Sequence, residues 1–185
     1  ELLNSIERID RRLQRWVPPT TANTRTPKLA LSPLLPWQQQ VVAEARRFNV
    51  VCVGRRAGKT ALGVHLCAAP DVLAYPVGWF SPSYKLMLEV WREVVRVFQP
   101  VIGRQNATER RLEFTTGGVL EFWSLDNPQA GRGRKYRRII VDEAAFVPDL
   151  VDTWNYAIRP TLADLKGDAW VFSTPKGRNG FWQMW

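Results

Sequence analysis

Gly58, Lys59 and Thr60 stand together in the stretch VVCVGRRAGKTALGVHLC, residues 50–67. An apolar run leads into them and a helical pattern follows, so they fall on a strand-to-helix turn. Backbone N–H groups at such a turn point at an anion, and the helix dipole adds to the attraction. Gly58 lets a phosphate approach the backbone closely. A lysine next to it can reach the β- and γ-phosphates of a nucleoside triphosphate, and a threonine hydroxyl can sit on Mg²⁺. The usual phosphate loop has a glycine six residues before the lysine. Here that position is Val53, and Gly54 follows one place later. The loop also carries Arg55 and Arg56, either of which can add a cis-acting charge at a γ-phosphate. Taken alone, the stretch is equally compatible with a chance Gly-Lys-Thr.

A second segment bears on that choice. In RRIIVDEAAF, Ile139, Ile140 and Val141 form a short buried strand, and Asp142 and Glu143 emerge at its carboxyl end. Phosphoryl transfer to water needs one acid for the metal and one to orient the nucleophile. Adjacent carboxylates repel each other unless a cation lies between them, which suits a metal site. Asp142 is then the residue that holds Mg²⁺ with Thr60, and Glu143 the one that polarises water. Both patterns in one chain, in this order and each after an apolar strand, point to a P-loop NTPase.

The elements that must position these residues are visible as changes of period. FNVVCV, VGWFS, RIIV and AWVFST read as strands, and KTALGVHLCA as a helix. In YKLMLEVWREVVRVF, Leu86, Val90, Trp91, Val94 and Phe98 line one helical face. RLEFTT and VLEFWS flank Gly117-Gly118, a hairpin signal. LVDTWNYAIRPTL reads as a helix broken near Pro160. Such alternation predicts an α/β fold, with a mainly parallel central sheet flanked by helices and an added β-hairpin. Residues 1–17 read as an amphipathic helix, residues 18–36 as a Pro-rich linker or strap, and residues 37–185 as the core. Arg138 interrupts the apolar run before Asp142 and is expected to snorkel from the sheet's entry.

Composition narrows the partners. Lys and Arg total 26 against 17 Asp and Glu in 185 residues, a net charge of +9, which draws the chain to polyanions. Cys52 and Cys67, both in apolar runs, read as buried thiols of a reducing compartment. His65 has no nucleophile pattern around it and reads as structural. No apolar run is long enough to span a bilayer, so a membrane partner is not expected. The nine tryptophans fall mostly in core patterns, which makes packing their expected use rather than base stacking.

The order of motifs also resembles a known family. WQQQ precedes the loop on a short helix, and VGRRAGKT has the shifted glycine. GWFSPSYKLMLEVW follows, then NPQAGRGRKYRRIIVDEAAF, then FSTPKGRNGFW. From about Trp37 to Trp185 this resembles the ATPase domain of the large terminase subunit, the DNA-packaging motor of tailed bacteriophages. The resemblance implies the ASCE type of P-loop fold, ATP and Mg²⁺ as cofactors, and hydrolysis that drives double-stranded viral DNA into a procapsid. Gly54, Arg55, Arg56, Ala57, Gly58, Lys59, Thr60 and Ala61 become the nucleotide-binding run, with Arg56, or else Arg55, sensing the γ-phosphate. Gln38, or Gln39 in the alternative register, is the implied adenine-reading glutamine. Ser173, Thr174 and Pro175 match the coupling motif.

The resemblance further implies an arginine finger supplied by a neighbouring copy in a ring. Arg132 is the first choice for it and Arg134 the second. Arg134, Lys135 and Arg137, with Arg138 nearby, also suit DNA phosphate. Implied partners are duplex DNA, further copies of the chain, the portal protein and the small terminase subunit, in the cytoplasm of an infected bacterium. Large terminases join this domain to a nuclease with clustered acids. Asp149, Asp152 and Asp164 form no such cluster, so no nuclease activity is expected of these residues, and late strands of the sheet are expected to be missing. Two other readings remain: a helicase-like remodelling ATPase, and a non-enzymatic DNA- or partner-binding module with a vestigial site.

Overall fold

The structure, a computed structural model, describes residues 29–185. The amphipathic helix expected over residues 1–17 and most of the strap lie outside the described residues. Seven strands form one sheet: β1 (Phe48–Cys52), β2 (Pro76–Ser81), β3 (Ile102–Asn106), β4 (Arg111–Phe114), β5 (Val119–Ser124), β6 (Arg138–Val141) and β7 (Asp168–Ser173). Their spatial order is β1-β7-β6-β2-β5-β4-β3. The first five are mutually parallel, and β4 and β3 are added antiparallel. The expected α/β architecture with its β4–β5 hairpin is therefore present.

Parallel strands buried on both faces read as near-continuous apolar runs; β6 has one after Arg138, and β7 has one between Asp168 and Ser173. Ile140, Trp170 and Phe172 join Trp79 and Phe122 on one face, under α2 (Lys59–Cys67) and α3 (Tyr84–Phe98). Ile139, Val141, Ala169 and Val171 join Phe80 on the other. That second face is covered by residues 144–162 and by α5 (Gly180–Met184). A short helix, α1 (Pro36–Ala43), precedes β1, and Leu29, Leu31 and Leu34 before it pack against the first core. Trp79, Trp91, Trp154 and Trp170 are buried in these layers.

Helix α3 has the expected extent, and the Ser83 hydroxyl accepts the Leu86 N–H at its start. Its buried face differs by one position: Met87 joins Val90, Trp91, Val94 and Phe98, and Leu86 is only half-buried. The segment around Pro160 is less regular than a broken helix. A turn of α-helix, α4 (Leu150–Thr153), passes into a π-helical stretch (Trp154–Ile158) and then a 3₁₀ turn (Arg159–Leu162). Proline has no N–H to give an i→i−4 bond, so regular helix does not run through it. Strand β3 was not legible: IGRQN has no apolar alternation and is held as an edge by its ladder with β4.

Arg138 does not snorkel. Its side chain is 11% exposed and donates from Nε and Nη2 to the two Asp168 oxygens, each at 2.7 Å, and from Nη1 to the Leu66 carbonyl at 2.9 Å. Arg138 and Asp168 face each other in register at the entry of β6 and β7, so the pair pins those two strands together.

Candidate active site

Strand β1 ends beside β7, and β7 beside β6, so three loops at the carboxyl ends of adjacent strands converge. Ligands bind at that edge in sheets of this type. The first loop follows Val53, whose N–H still pairs with the Ser173 carbonyl at 3.1 Å and whose side chain packs on the core. That bond extends the β1–β7 ladder one residue past Cys52, at the position where a glycine is usual and this chain has a valine. Arg56 (φ 60) and Gly58 (φ 90) are left-handed, and they turn the chain into α2 at Lys59. Gly54 has open space around it, and no left-handed backbone demands glycine there.

Lys59 is buried at 6% exposure, and its Nζ lies 3.2 Å from the Gly54 carbonyl and 3.5 Å from Glu143 Oε1. Thr60 donates from Oγ1 to Asp142 Oδ2 at 3.4 Å, and Asp142 Oδ1 accepts the Glu143 N–H at 3.0 Å. Glu143 itself is left-handed (φ 50), which turns its carboxylate back toward the first loop. Burial, and then the neighbouring Glu143 charge, push the Asp142 carboxyl up to about 6, while Lys59 and Thr60 pull the other way. A buried acid under that repulsion is eased by a cation. Thr60 and Asp142 offer the hard oxygen donors that Mg²⁺ takes, so this donor set fits it.

The third loop brings the Ser-Thr pair. Thr174 donates from Oγ1 to Glu143 Oε2 at 3.2 Å. Ser173 is fully buried, and its Oγ accepts the Ala145 N–H at 3.0 Å. One residue therefore grips the Glu143 carboxylate and its neighbour grips the backbone just behind it. Pro175 is exposed. The cleft between these loops encloses about 350 Å³ and is lined by Arg55, Arg56, Lys59, Thr60, Glu143 and Thr174, with Leu86 and Phe146. Leu86 and Phe146 were missed in the sequence. Leu86 sat in an apolar face and Phe146 in an apolar run, and nothing local marked either as a cleft wall. Lys176 Nζ sits 4.2 Å from the Phe146 ring centroid.

The remaining expected site residues lie elsewhere. Gln38 is 2% exposed: its Oε1 accepts the Leu35 N–H at 2.7 Å and its Nε2 donates to the Gly58 carbonyl at 2.9 Å. Gln39 is exposed and donates to the Leu34 carbonyl. Ala57 and Ala61 are half-buried along the loop and the first turn of α2. Arg132 is exposed, donates to Gln129 Oε1 at 2.8 Å and does not line the cleft of its own chain. Arg134 reaches Glu121 at 3.5 Å and covers the Trp123 ring, Lys135 pairs with Asp164 at 2.6 Å, and Arg137 donates to the Leu165 and Lys166 carbonyls. Arg138, buried on Asp168, is withdrawn from any surface that meets DNA. His65 bonds the Ser32 carbonyl and ties the segment before α1 to α2. Cys67 is buried, whereas Cys52 is only partly so.

No protein-family model matches the chain. It is 44% identical over 160 residues to the large terminase subunit of Thermus phage G20c, a match covering 74% of this chain and 32% of that protein. With the large terminase subunit of Escherichia phage T5 it shares 31% over 142 residues, 73% of this chain and 32% of the relative. The chain thus spans about a third of the length of the curated relatives it matches. Among solved structures, the Thermus phage P74-26 large terminase ATPase domain superposes with a TM-score of 0.71 at 24% identity, covering 84% of this chain and 70% of that one. The HK97 bacteriophage large terminase gives 0.65 at 14% identity, covering 94% and 38%. The large terminase of a thermophilic bacteriophage in complex with ADP gives 0.55 at 16%, covering 77% and 38%. The chain is thus similar in sequence to about a third of the length of phage large terminase subunits, and in fold to a large terminase ATPase domain.

Proposed function

We propose that this chain is the ATP-hydrolysing motor domain of a DNA-packaging enzyme. The observation that carries the reading is the convergence of Lys59, Thr60, Asp142, Glu143 and Thr174 on one cleft from three adjacent strands. The ADP-bound relative of the same fold supports a nucleotide as its ligand. Thr60 and Asp142 would hold Mg²⁺, whose charge, when bound, offsets that of the β- and γ-phosphates. Lys59 leaves Glu143 for the phosphates and Arg56, at the mouth, meets the γ-phosphate. Glu143, released from the lysine but still held by Thr174, orients the attacking water. When phosphate leaves, Lys59 is again free to close on Glu143, which Thr174 has held throughout. Ser173, fixed to the Ala145 backbone, carries that change into the turn behind it.

Arg132 is proposed as the finger that completes a neighbouring copy's site in a ring. It is exposed and lies outside its own cleft, as a residue acting in trans must. Double-stranded DNA is the proposed track, gripped by its phosphates, which carry no sequence information. The portal protein and small terminase subunit are the proposed partners, in the cytoplasm of the infected host. Among the described residues, no helix is long and apolar enough to cross a membrane. The test is Mg-ATP turnover per chain against protein concentration, with Arg132→Ala alongside. Activity that climbs with concentration and is lost on that substitution supports a site completed between copies. Turnover that is flat with concentration and unaffected by Arg132→Ala removes the finger assignment. It would favour a helicase-like monomer with Arg56 acting in cis.

A further inference from the structure

We infer that Gln38 is a positioning residue of the phosphate loop and takes no part in reading the base. The inference rests on the nucleotide reading of the cleft, but it is carried by a different set of contacts. Gln38 is the third residue after the Leu35 cap of α1, and its Oε1 accepts the Leu35 N–H at 2.7 Å. Its Nε2 donates at 2.9 Å to the Gly58 carbonyl, twenty residues away in sequence. Gln38 is 2% exposed, its amide is bonded to the protein at both ends, and it does not line the cleft.

The bond falls on the peptide whose other end matters most. Gly58 adopts φ 90, a conformation that glycine alone adopts readily. The Gly58 carbonyl also accepts the Leu62 N–H at 3.0 Å, the first backbone bond of α2. Because the peptide is planar and trans, fixing this carbonyl toward α1 turns the Lys59 N–H the opposite way, out of the helix N-terminus. Gln38 also fills the space a side chain at residue 58 would need, since a Cβ there would lie 2.9 Å from its Nε2. The glutamine thus holds the loop in its anion-binding turn and ties that turn to α1. A residue with this role affects every ligand bearing the triphosphate, whatever its base.

Binding of ATP, GTP and inorganic tripolyphosphate to wild type, Gln38→Glu and Gln38→Ala separates the two roles. Gln38→Glu keeps the acceptor for the Leu35 N–H, so α1 stays capped and the ligand-free melting temperature should hold. It sets a carboxylate against the Gly58 carbonyl. The expected result is a common loss of roughly tenfold for all three ligands. A loss for ATP alone, with tripolyphosphate unaffected, would make Gln38 a base reader and overturn the inference. So would unchanged binding of every ligand. Amide exchange at Leu62 in the ligand-free protein gives a reading that needs no nucleotide. Several-fold faster exchange in Gln38→Glu supports the positioning role, and an unchanged rate overturns it. Wild type that binds no triphosphate while exchange still responds would sink the nucleotide reading and leave the loop contact standing.

Discussion

Replacing Glu143 with glutamine tests the proposed division of labour most directly. The substitution keeps shape and the Thr174 contact, but removes the charge that is proposed to orient water and that pairs with Lys59 at 3.5 Å. Loss of a positioned base costs roughly 10²–10⁴ in rate, or about 3–5 kcal/mol in the barrier. Binding should move the other way. Lys59 is held by Glu143 before ligand arrives, so the phosphates must displace that carboxylate. A partly exposed pair of this kind is worth up to about 1 kcal/mol, so Glu143→Gln should bind Mg-ATP as well as wild type or up to about fivefold tighter. The neighbouring charge that helps raise the Asp142 carboxyl also disappears, which lowers that group toward the ordinary carboxylate range. Single-turnover phosphate release and calorimetric titration with Mg-ATP read the two effects separately. Turnover above about a tenth of wild type, or affinity more than about tenfold weaker, would refute the assignment of Glu143.

Asp168→Asn should leave the buried Arg138 guanidinium without its fork partner; about 3 kcal/mol is expected, a drop of roughly 10 °C in melting temperature for a chain this size, and an unchanged melting curve would contradict the pair's role. Gly58→Ala must place a Cβ at φ 90 and 2.9 Å from Gln38, so triphosphate affinity should fall about tenfold, from a strain of roughly 1–2 kcal/mol, as read by the same titration. Burial raises the Cys67 thiol to about 12 from its ordinary 9.0. Its contribution to stability is therefore complete below about pH 9 and is lost as pH rises toward 12. At pH 8 a thiol reagent should label Cys67 only after denaturation, which mass spectrometry of the labelled peptides checks.

Much of the site was legible because its chemistry is local. A glycine, lysine and threonine after an apolar run, and two acids after another, state their chemistry without reference to anything distant. The same holds for α3, whose period and Ser83 cap lie within one stretch. What depended on distance was not legible. Nothing in a strand's own residues says which strand it lies beside, because backbone ladders are alike and only the pattern of burial differs. The order β1-β7-β6 is what sets Thr174 against Glu143 and Ser173 behind it. Arg138 looked like a blemish in an apolar run until register placed Asp168 opposite it. Strand β3 has no signal of its own and exists through its partner. Gln38 stands in the sequence as the adenine reader that the family resemblance implies; only the packing of α1 against the loop shows that both ends of its amide are bonded within the protein. The sequence by itself determined which side chains are candidates for phosphate and metal and where most of the strands and helices lie, since spacing and period are written along the chain. Tertiary structure alone decided which of them meet, since that is settled by strand order and by the burial of groups far apart in sequence.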